Sequence, residues 1–391
     1  TESDGLNLVL INRDPRMKRD VSFQFEQKYK LVKKTVFTGD SILSDNNTSS
    51  PINLTTETVN DESQFNHIVI PDKSLVVLYL ELKDITPPVT TDNAPANWVN
   101  QDVTVNLIAT DNVNGAGVAA TYFTVDGGQQ QNGTTVSFTT EGIHTLEYWS
   151  DDKASNTETK HTVLVKIDKT APVSSSVINP AAPNGSNGWY TSNVIVNLAA
   201  TDNLSSVTST VYSINNGAWS NYTSPLDFSD GVYKVDFRST DQAGNIEQSQ
   251  SILFNVDKTA PSLNVTLDKT VLWPPNGKMV TVHATLTPSD ATSGVASVIL
   301  TSITSNATEE EHEKDNEKDH KKSENIQAHI GTMATSFSLR AEKAKHGKVR
   351  IYTITYTVTD LAGNKFDVVS TVSVPAHENE DEEHEDEWNE E

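Results

Sequence analysis

The sequence repeats a short phrase, Asp-Lys-Thr-Ala-Pro, at intervals close to the length of one small β-domain. It occurs at Asp168–Pro172 and Asp257–Pro261, and a looser form, Asp-Ile-Thr-Pro-Pro, occurs at Asp84–Pro88. Successive copies begin 84 and 89 residues apart, and a single β-sandwich takes about 100 residues. A second phrase, Asp-x-Ala-(Gly/Ser)-Asn, recurs in step with the first at Asp152–Asn156, Asp241–Asn245 and Asp360–Asn364. Two phrases that repeat in register predict a tandem array of one domain.

Each repeat contains runs in which apolar and polar residues alternate. The clearest are Val103–Ala109, Val194–Ala200, Tyr233–Phe237 and Tyr352–Tyr356. Alternation with a period of two is typical of strands that bury one face. Abundant Thr, Val, Ser and Asn suit strands and turns. The fold class that these patterns predict is all-β, as tandem sandwich modules.

The repeats divide the chain into five predicted segments. The third module is about thirty residues longer than its siblings, and a run dense in both charges, Glu309–Glu324, accounts for the surplus. Such a segment buries too little apolar surface to fold, so we expect a solvated loop there and a disordered acidic tail after module 3. The segments are an N-terminal β-domain at 1–83, module 1 at 84–167, module 2 at 168–256, module 3 at 257–375 with its insert at about 306–326, and the tail at 376–391.

Charge and cysteine content exclude several classes of partner and site. The formal net charge is −24, whereas nucleic acids and anionic lipids require a basic surface. The chain has no cysteine, which excludes disulfides and thiolate metal sites. No apolar run is long enough to span a bilayer. The chain opens with Thr1 rather than Met, and we interpret it as the C-terminal part of a longer precursor.

The repeated phrases, together with Tyr212–Trp219, resemble the bacterial Ig-like repeats of exported proteins. Leu272–Lys278, at the start of module 3, is similar to a terminal variant of the same family. The resemblance covers the three modules. It implies an elongated monomeric array, secreted or on the bacterial surface, whose modules act as spacers or binding modules beside enzymes or adhesive domains.

The N-terminal segment carries a different resemblance. Leu8–Pro15 and the later run Ile70–Leu78 are similar to the β-sandwich that follows the (β/α)8 barrel in glycoside hydrolases of families 44 and 51. If so, the catalytic barrel lies upstream of Thr1. The alternative is simply another β-domain.

The recurring acids predict a shared site at one end of each module. In a seven-strand sandwich, strands two and six run parallel, so acids that follow both strands lie at the end where strand one begins. Oxygen ligands on loops suit Ca²⁺, which takes six to eight oxygens. The alternative is that these Asp and Asn residues only form Asx turns. The candidate ligands are Asp84, Asp111, Asn112, Asp152 and Asn156 in module 1; Asp168, Asp202, Asn203, Asp241 and Asn245 in module 2; and Asp257, Asp290, Asp360 and Asn364 in module 3.

Two tryptophans are candidates for binding polysaccharide, because aromatic faces stack on sugar rings. Trp149 aligns with Arg238 and Thr357, on the outward face of its strand, and Trp219 sits in a hairpin. Packing or closing the hairpin is the alternative for Trp219. Trp98 and Trp189 recur at one module position and are predicted to pack in the core. Histidines in the insert and tail, His312, His320, His377 and His384, are better explained by a solvated charged segment than by Zn²⁺ or Ni²⁺ binding.

No catalytic arrangement emerges from the sequence: no phosphate loop, no nucleophile elbow and no carboxylate pair on a rigid scaffold. The leading hypothesis is a non-catalytic accessory or spacer region of a secreted bacterial glycoside hydrolase, aiding attachment to polysaccharide or the cell wall. The alternative is the stalk of a cell-surface adhesin. A third reading makes polysaccharide binding the main role.

Overall fold

The computed structural model describes residues 5–23, 29–39, 52–59, 67–307, 325–344 and 348–376. Over these ranges the chain forms strands and turns and no helix, which confirms the all-β prediction. Most of the charged insert and the tail from residue 377 lie outside the described residues. None of the described residues forms a helix long and apolar enough to cross a membrane.

The chain divides into two compact units, Thr1–Lys169 and Thr170–Glu391. The first contains the N-terminal segment and module 1, and the second contains nearly all of module 2 and the whole of module 3. The segment boundaries themselves stay predictions.

The N-terminal segment has a four-stranded sheet, in the order β1-β6-β3-β4, and a two-stranded sheet, β2-β5. Its strands are β1 Gly5–Asn12, β2 Arg19–Val21, β3 Tyr29–Gly39, β4 Ile52–Thr58, β5 Ile68–Ile70 and β6 Ser74–Leu82. β1 pairs with β6, and β2 pairs with β5. β6 takes the central place because Val76, Leu78 and Leu80 alternate on one face and are fully buried.

Module 1 has one four-stranded sheet, β11-β10-β13-β14, and two short pairs, β12-β8 and β7-β9. All three are antiparallel. The strands are β7 Val89–Thr91, β8 Val103–Asn106, β9 Ile108–Thr110, β10 Val118–Val125, β11 Gln131–Asn132, β12 Thr135–Phe138, β13 Gly142–Asp152 and β14 His161–Ile167.

Module 2 has a three-stranded sheet, β15-β17-β20, facing a five-stranded sheet, β16-β22-β21-β18-β19. The short β16 pairs with β22 in parallel, and the other pairs are antiparallel. The strands are β15 Val173–Asn179, β16 Trp189–Tyr190, β17 Val194–Thr201, β18 Val207–Ile214, β19 Ser220–Asn221, β20 Leu226–Phe228, β21 Gly231–Asp241 and β22 Gln250–Val256.

Module 3 has sheets β23-β24-β27-β26 and β25-β28-β29. Its strands are β23 Ser262–Leu267, β24 Met279–Ser289, β25 Val295–Ser305, β26 Ile326–Gln327, β27 Ser336–Arg340, β28 Arg350–Asp360 and β29 Lys365–Val374.

Four separate clusters of buried apolar side chains hold these segments together. Each module core is built from the alternating positions seen in the sequence. Val105 in module 1, Val196 in module 2 and Ile354 in module 3 are all fully buried. Burial of each such side chain contributes about 1.5–3 kcal/mol. The loops at the ends of the sandwiches are therefore held by rigid strands.

Candidate functional site: the repeated aspartate sets

The structure brings the recurring acids of a module together at the end where its first strand begins. In module 1, Asp84 precedes β7, Asp111 follows β9 and Asp152 ends β13. Each offers a carboxylate oxygen, and the three oxygens lie within 4.8 Å of one another. Asp152 is buried, whereas Asp84 and Asp111 are half-buried.

Backbone amides orient two of these carboxylates. Asp84 accepts hydrogen bonds from the Ala116 amide at 2.7 Å and the Thr86 amide at 3.1 Å. Asp111 accepts from the Gly117 amide at 2.6 Å. The amides of Ala116 and Thr86 hold the pKa of the Asp84 carboxyl below its ordinary value, because they stabilise the ionised form. Asp84 is therefore a negative charge at neutral pH.

Asn156 closes the module 1 set and explains the repeated Asp-x-Ala-(Gly/Ser)-Asn phrase. Its backbone amide donates to Asp152 Oδ1 at 2.7 Å, and its Nδ2 donates to Asp152 Oδ2 at 2.6 Å. The same Nδ2 donates to the carbonyl oxygen of Asp84 at 3.2 Å. The phrase thus ties the end of β13 to the start of the module.

Module 3 repeats this geometry within the second unit. Oxygens of Asp257, Asp290 and Asp360 again lie within 4.8 Å of one another. Asn364 donates from Nδ2 to Asp360 Oδ2 and to the Asp257 carbonyl, both at 2.9 Å. Asp290 Oδ1 accepts from the Gly294 amide at 2.6 Å.

The module 2 residues are divided between the two units. Asp168 is fully buried near the end of the first unit. Asp202 and Asp241 belong to the second unit, where their carboxylate oxygens lie within 4.8 Å of each other. Asn245 binds Asp241 as its counterparts do, with Nδ2 donating to Oδ2 at 2.7 Å. The two predicted asparagines Asn112 and Asn203 are exposed.

One carboxylate oxygen of Asp202, in module 2, takes no part in the turn that its partner oxygen forms. Asp202 Oδ1 accepts from the amides of Leu204 and Ser206, both at 3.0 Å, as in an Asx turn. Asp202 Oδ2 is buried and has no hydrogen-bond partner among the described residues. Turn formation accounts for Oδ1 alone, and a buried acceptor without a partner costs free energy.

The chemistry of these sets is that of hard oxygen ligands. In modules 1 and 3, three carboxylates converge at each set. Two unit charges about 5 Å apart repel by roughly 3 kcal/mol at an effective dielectric constant of about 20, before solvent screening. A divalent cation would remove that repulsion, and Ca²⁺ accepts such flexible oxygen sets.

Sequence reasoning missed a carboxylate at the same place in modules 1 and 2, Glu158, which is buried, and Glu247, which is half-buried. In module 1, Glu158 is buried and accepts from the Thr90 amide at 2.9 Å and from the Thr90 hydroxyl. The Thr90 hydroxyl contacts Ser150 Oγ at 2.7 Å, and Ser150 contacts Thr121 Oγ1 at 2.8 Å. This network joins β7, in the β7-β9 pair, to β13 and β10 of the four-stranded sheet.

Module 2 contains the same network. Glu247 accepts from the Ser174 amide at 3.0 Å and the Ser239 amide at 2.8 Å, and also from the Ser174 hydroxyl. Ser239 Oγ contacts Ser174 Oγ at 2.6 Å and Thr210 Oγ1 at 2.7 Å. The signal in the sequence is a glutamate two residues after the Asn that ends the repeated phrase, at Asn156–Glu158 and Asn245–Glu247.

The Asp360–Asn364 loop also forms the contact between modules 2 and 3. The Ser186 amide of module 2 donates to the Ala362 carbonyl at 2.7 Å, and Asn187 Nδ2 donates to the Leu361 carbonyl at 2.8 Å. Ala362 is fully buried. A loop that orients the Asp360 carboxylate therefore also holds the preceding module.

The tryptophans do not match the expectation fully. Trp149 is only 8% exposed, with Lys160 Nζ 4.3 Å from its ring centre and Tyr122 packed alongside at 5.8 Å, so its predicted exposure is wrong. Trp219 is 42% exposed, and the Arg238 guanidinium lies 4.6 Å from its ring centre. Trp98 and Trp189 are half-buried. Only Trp219 of the two candidates presents a ring to solvent.

Comparison with known proteins identifies the class of module. Residues 177–258 match the family model described as Bacterial Ig-like domain. No curated protein matches the chain. The resemblance to bacterial Ig-like repeats is thus confirmed for module 2, whereas the resemblance of the N-terminal segment to a glycoside hydrolase sandwich stays a prediction.

Among solved structures, several tandem β-domain proteins are similar. The fibronectin(III)-like modules of Clostridium thermocellum CbhA are 10% identical, with a TM-score of 0.25, over 43% of this chain and 94% of that one. A tetra-tandem repeat from the extending region of a large adhesion protein is 15% identical, with a TM-score of 0.29, over 95% and 100%. The sialic acid binding region of a Streptococcus sanguinis SK1 adhesin is 12% identical, with a TM-score of 0.18, over 75% and 78%. Similarity at this level says nothing about what this chain binds.

Proposed function

We propose that this chain is a non-catalytic spacer of a secreted or surface-exposed bacterial protein, and that Ca²⁺ binds at the aspartate sets and stiffens its Ig-like modules. The observation that carries the proposal is the set of three convergent aspartates, seen whole in modules 1 and 3. The unpartnered Asp202 Oδ2 supports it, because a turn does not require that oxygen to be buried. In modules 1 and 3 the sets lie at the end of the sandwich where the first strand begins, so a bound cation would restrain the chain there.

Calcium should raise the thermal stability of the modules. A ligand present at a hundred times its Kd adds about 2.7 kcal/mol to the free energy of unfolding. For a domain of 60–100 residues this corresponds to a rise in Tm of roughly 10 °C or more. Differential scanning calorimetry of the full chain in Ca²⁺ and in EDTA measures the shift. An unchanged Tm would rule out calcium binding at these sets.

A pair of variants in module 3 assigns the response to the site. Asp290→Asn removes one ligand charge while an amide oxygen can still accept from the Gly294 amide, so the turn is kept. We expect it to abolish the calcium response of module 3 and to leave that of module 1. Asp268→Asn is the matched control, since Asp268 also accepts a backbone amide, from His283, but belongs to no acid set. Equal effects of both variants would point to general screening of charge.

The parent protein of the spacer is the finer part of the proposal. We place the chain beside a carbohydrate-active enzyme, supported by the resemblance of residues 1–83 to a glycoside hydrolase sandwich. The second candidate is an adhesin stalk, supported by the family match of module 2 to a bacterial Ig-like domain. The gene sequence before the codon for Thr1 distinguishes them: a (β/α)8 barrel with paired glutamates favours the first, and further Ig-like repeats favour the second.

Attachment to polysaccharide is proposed for Trp219. Its exposed ring, braced by Arg238, is suited to stack on a sugar. Trp219→Ala should reduce retention of the full chain on insoluble polysaccharide by roughly tenfold, as expected for losing one aromatic contact of about 1.5 kcal/mol. Trp273→Ala is the control, because Trp273 is 43% exposed and none of the described residues places a cation against its ring. Equal losses from both variants would indicate nonspecific adsorption.

A further inference from the structure

The four-stranded sheet of the N-terminal segment is apolar on both of its faces. One face packs on the core of the segment through the alternating residues of β6, Val76, Leu78 and Leu80. The residues between them on the other face, Leu75 and Val77, are also apolar. An antiparallel sheet with one face in water usually alternates apolar and polar residues, whereas a continuous apolar run is typical of a strand covered on both sides. The outer face of this sheet is therefore suited to being covered.

Strand register extends the outer face across all four strands. Ile11 of β1 pairs with Leu75 of β6. Leu75 also pairs with Phe37 of β3, which pairs in turn with Leu54 of β4. Residues paired in this way lie side by side on one face of a sheet. The next row along the strands contains, in the same order, Val9, Val77, Thr35 and Thr56. We call these eight residues the apolar face.

The apolar face is open to solvent in the part of the chain that the structure describes. Val9, Ile11 and Leu54 each expose more than half of their surface. Thr35 Oγ1 and Thr56 Oγ1 lie 3.2 Å apart, so the two hydroxyls satisfy each other and leave methyl groups for packing. Contiguous exposed apolar patches of this kind mark interaction sites.

Charge favours a second copy of this chain as the partner. Residues 1–83 contain 10 Lys or Arg and 12 Asp or Glu, a formal charge of −2 out of the −24 that the whole chain carries. Two copies therefore repel each other mainly through the rest of the chain and little through this segment. The apolar face itself contains no charged residue. Two identical faces of this composition meet without burying an unpaired ion.

We propose that the apolar face is the interface of a homodimer, in which the sheets of two copies pack face to face about a two-fold axis. In such a dimer the same patch of each copy forms the contact. Four strands about 4.8 Å apart, over the eight residues of β1, give a sheet face of roughly 500 Å². The pair then buries about 1,000 Å², the lower limit for a specific interface, which fits a reversible dimer. This assembly replaces the monomeric array that the resemblance to Ig-like repeats implies.

Sedimentation equilibrium of the full chain over a range of concentrations measures the dimer directly. We expect a monomer–dimer equilibrium with a Kd on the order of 10 µM. Added salt should strengthen the dimer, because it screens the repulsion between the acidic modules and leaves the apolar contact in place. A chain that stays monomeric up to about 1 mM, far above that Kd, would overturn the proposal. So would a dimer that salt dissociates.

Lysine on the apolar face should break the dimer. Leu54→Lys and Val9→Lys each add a charge, and in a symmetric dimer each change enters the interface twice. We expect either variant to raise the Kd at least about a hundredfold. Both positions are exposed and lie on the two edge strands, so the core behind the sheet is kept. Each variant should therefore retain the unfolding transition of the dilute parent chain. A dimer that survives both changes would place the interface elsewhere and overturn the proposal.

Leu253→Lys is the matched control. Leu253 lies on β22 of module 2 and is more exposed than Leu54, but it is not part of the apolar face. It should leave the Kd unchanged, and an equal weakening would overturn the assignment of the interface. The dye anilinonaphthalene sulfonate detects a different occupant. If the parent chain is monomeric and binds the dye, and Leu54→Lys does not, the face takes another partner and the homodimer is overturned.

Discussion

Replacing Glu247 with alanine should destabilise module 2 by about 3 kcal/mol. Glu247 accepts the amides of Ser174 and Ser239 and the Ser174 hydroxyl. Both serines are buried, so removing the carboxylate leaves their donors without a partner, at about 1–3 kcal/mol for each such group. Hydrogen exchange resolved by peptide mass reports each module separately, and the protection of β15 and β21 should fall by roughly a hundredfold. A loss of less than about 1 kcal/mol would contradict the assigned role.

Module 3 supplies the control for this prediction. At the four positions equivalent to the network it has apolar residues: Leu263, Val298, Val358 and Phe366. Replacing all partners of a buried polar network by apolar groups can be nearly neutral, whereas removing one partner is costly. The fourfold variant Ser174→Leu, Thr210→Val, Ser239→Val, Glu247→Phe should therefore be more stable than Glu247→Ala alone. If the fourfold variant is the less stable of the two, packing rather than unpaired donors governs this region.

The sequence was sufficient to predict the sandwiches, because burial of one sheet face imposes a period of two on every core strand. Val105, Val196 and Ile354 follow that rule and are fully buried. Pairing within the N-terminal segment was not predictable in the same way. β1 and β6 are more than sixty residues apart in the chain, and nothing local to β1 specifies which strand it meets.

The aspartate sets were predictable because repetition and strand direction together place three acids at one end of a sandwich. The Glu158 and Glu247 networks were not, since a glutamate between polar neighbours looks exposed until Thr90 or Ser174 is placed against it. The prediction that Trp149 is exposed was wrong for the same reason. Its cover comes from Lys160 and Tyr122 on other segments, which strand periodicity does not reveal.

Gly185→Val should release module 2 from module 3. A Cβ at Gly185 would lie 2.6 Å from the Ala362 carbonyl oxygen and 2.7 Å from Thr191 Cγ2, too close for any side chain without movement of the loop. Moving the loop would break the hydrogen bonds from Ser186 and Asn187 to the Asp360–Asn364 loop. Two such bonds contribute about 2 kcal/mol together, and Ala362 would become exposed to water. Because the chain contains no cysteine, spin labels at Ser220→Cys and Thr285→Cys report a single distance between the modules.

The expected result is a narrow distance distribution in the parent chain and a broad one in Gly185→Val. Gly217→Ala is the matched control. A Cβ there would lie 2.9 Å from the Ile214 carbonyl oxygen, so it strains a hairpin of module 2 without touching module 3. That variant should lower the stability of module 2 and leave the distance distribution narrow. A broad distribution in the parent chain would mean that the Ser186 and Asn187 contacts are too weak to fix the joint. Of the two glycines, Gly185 faces the Ala362 carbonyl and Gly217 does not. A broad distribution in Gly217→Ala would therefore mean that the joint responds to the stability of module 2 rather than to the Asp360–Asn364 loop.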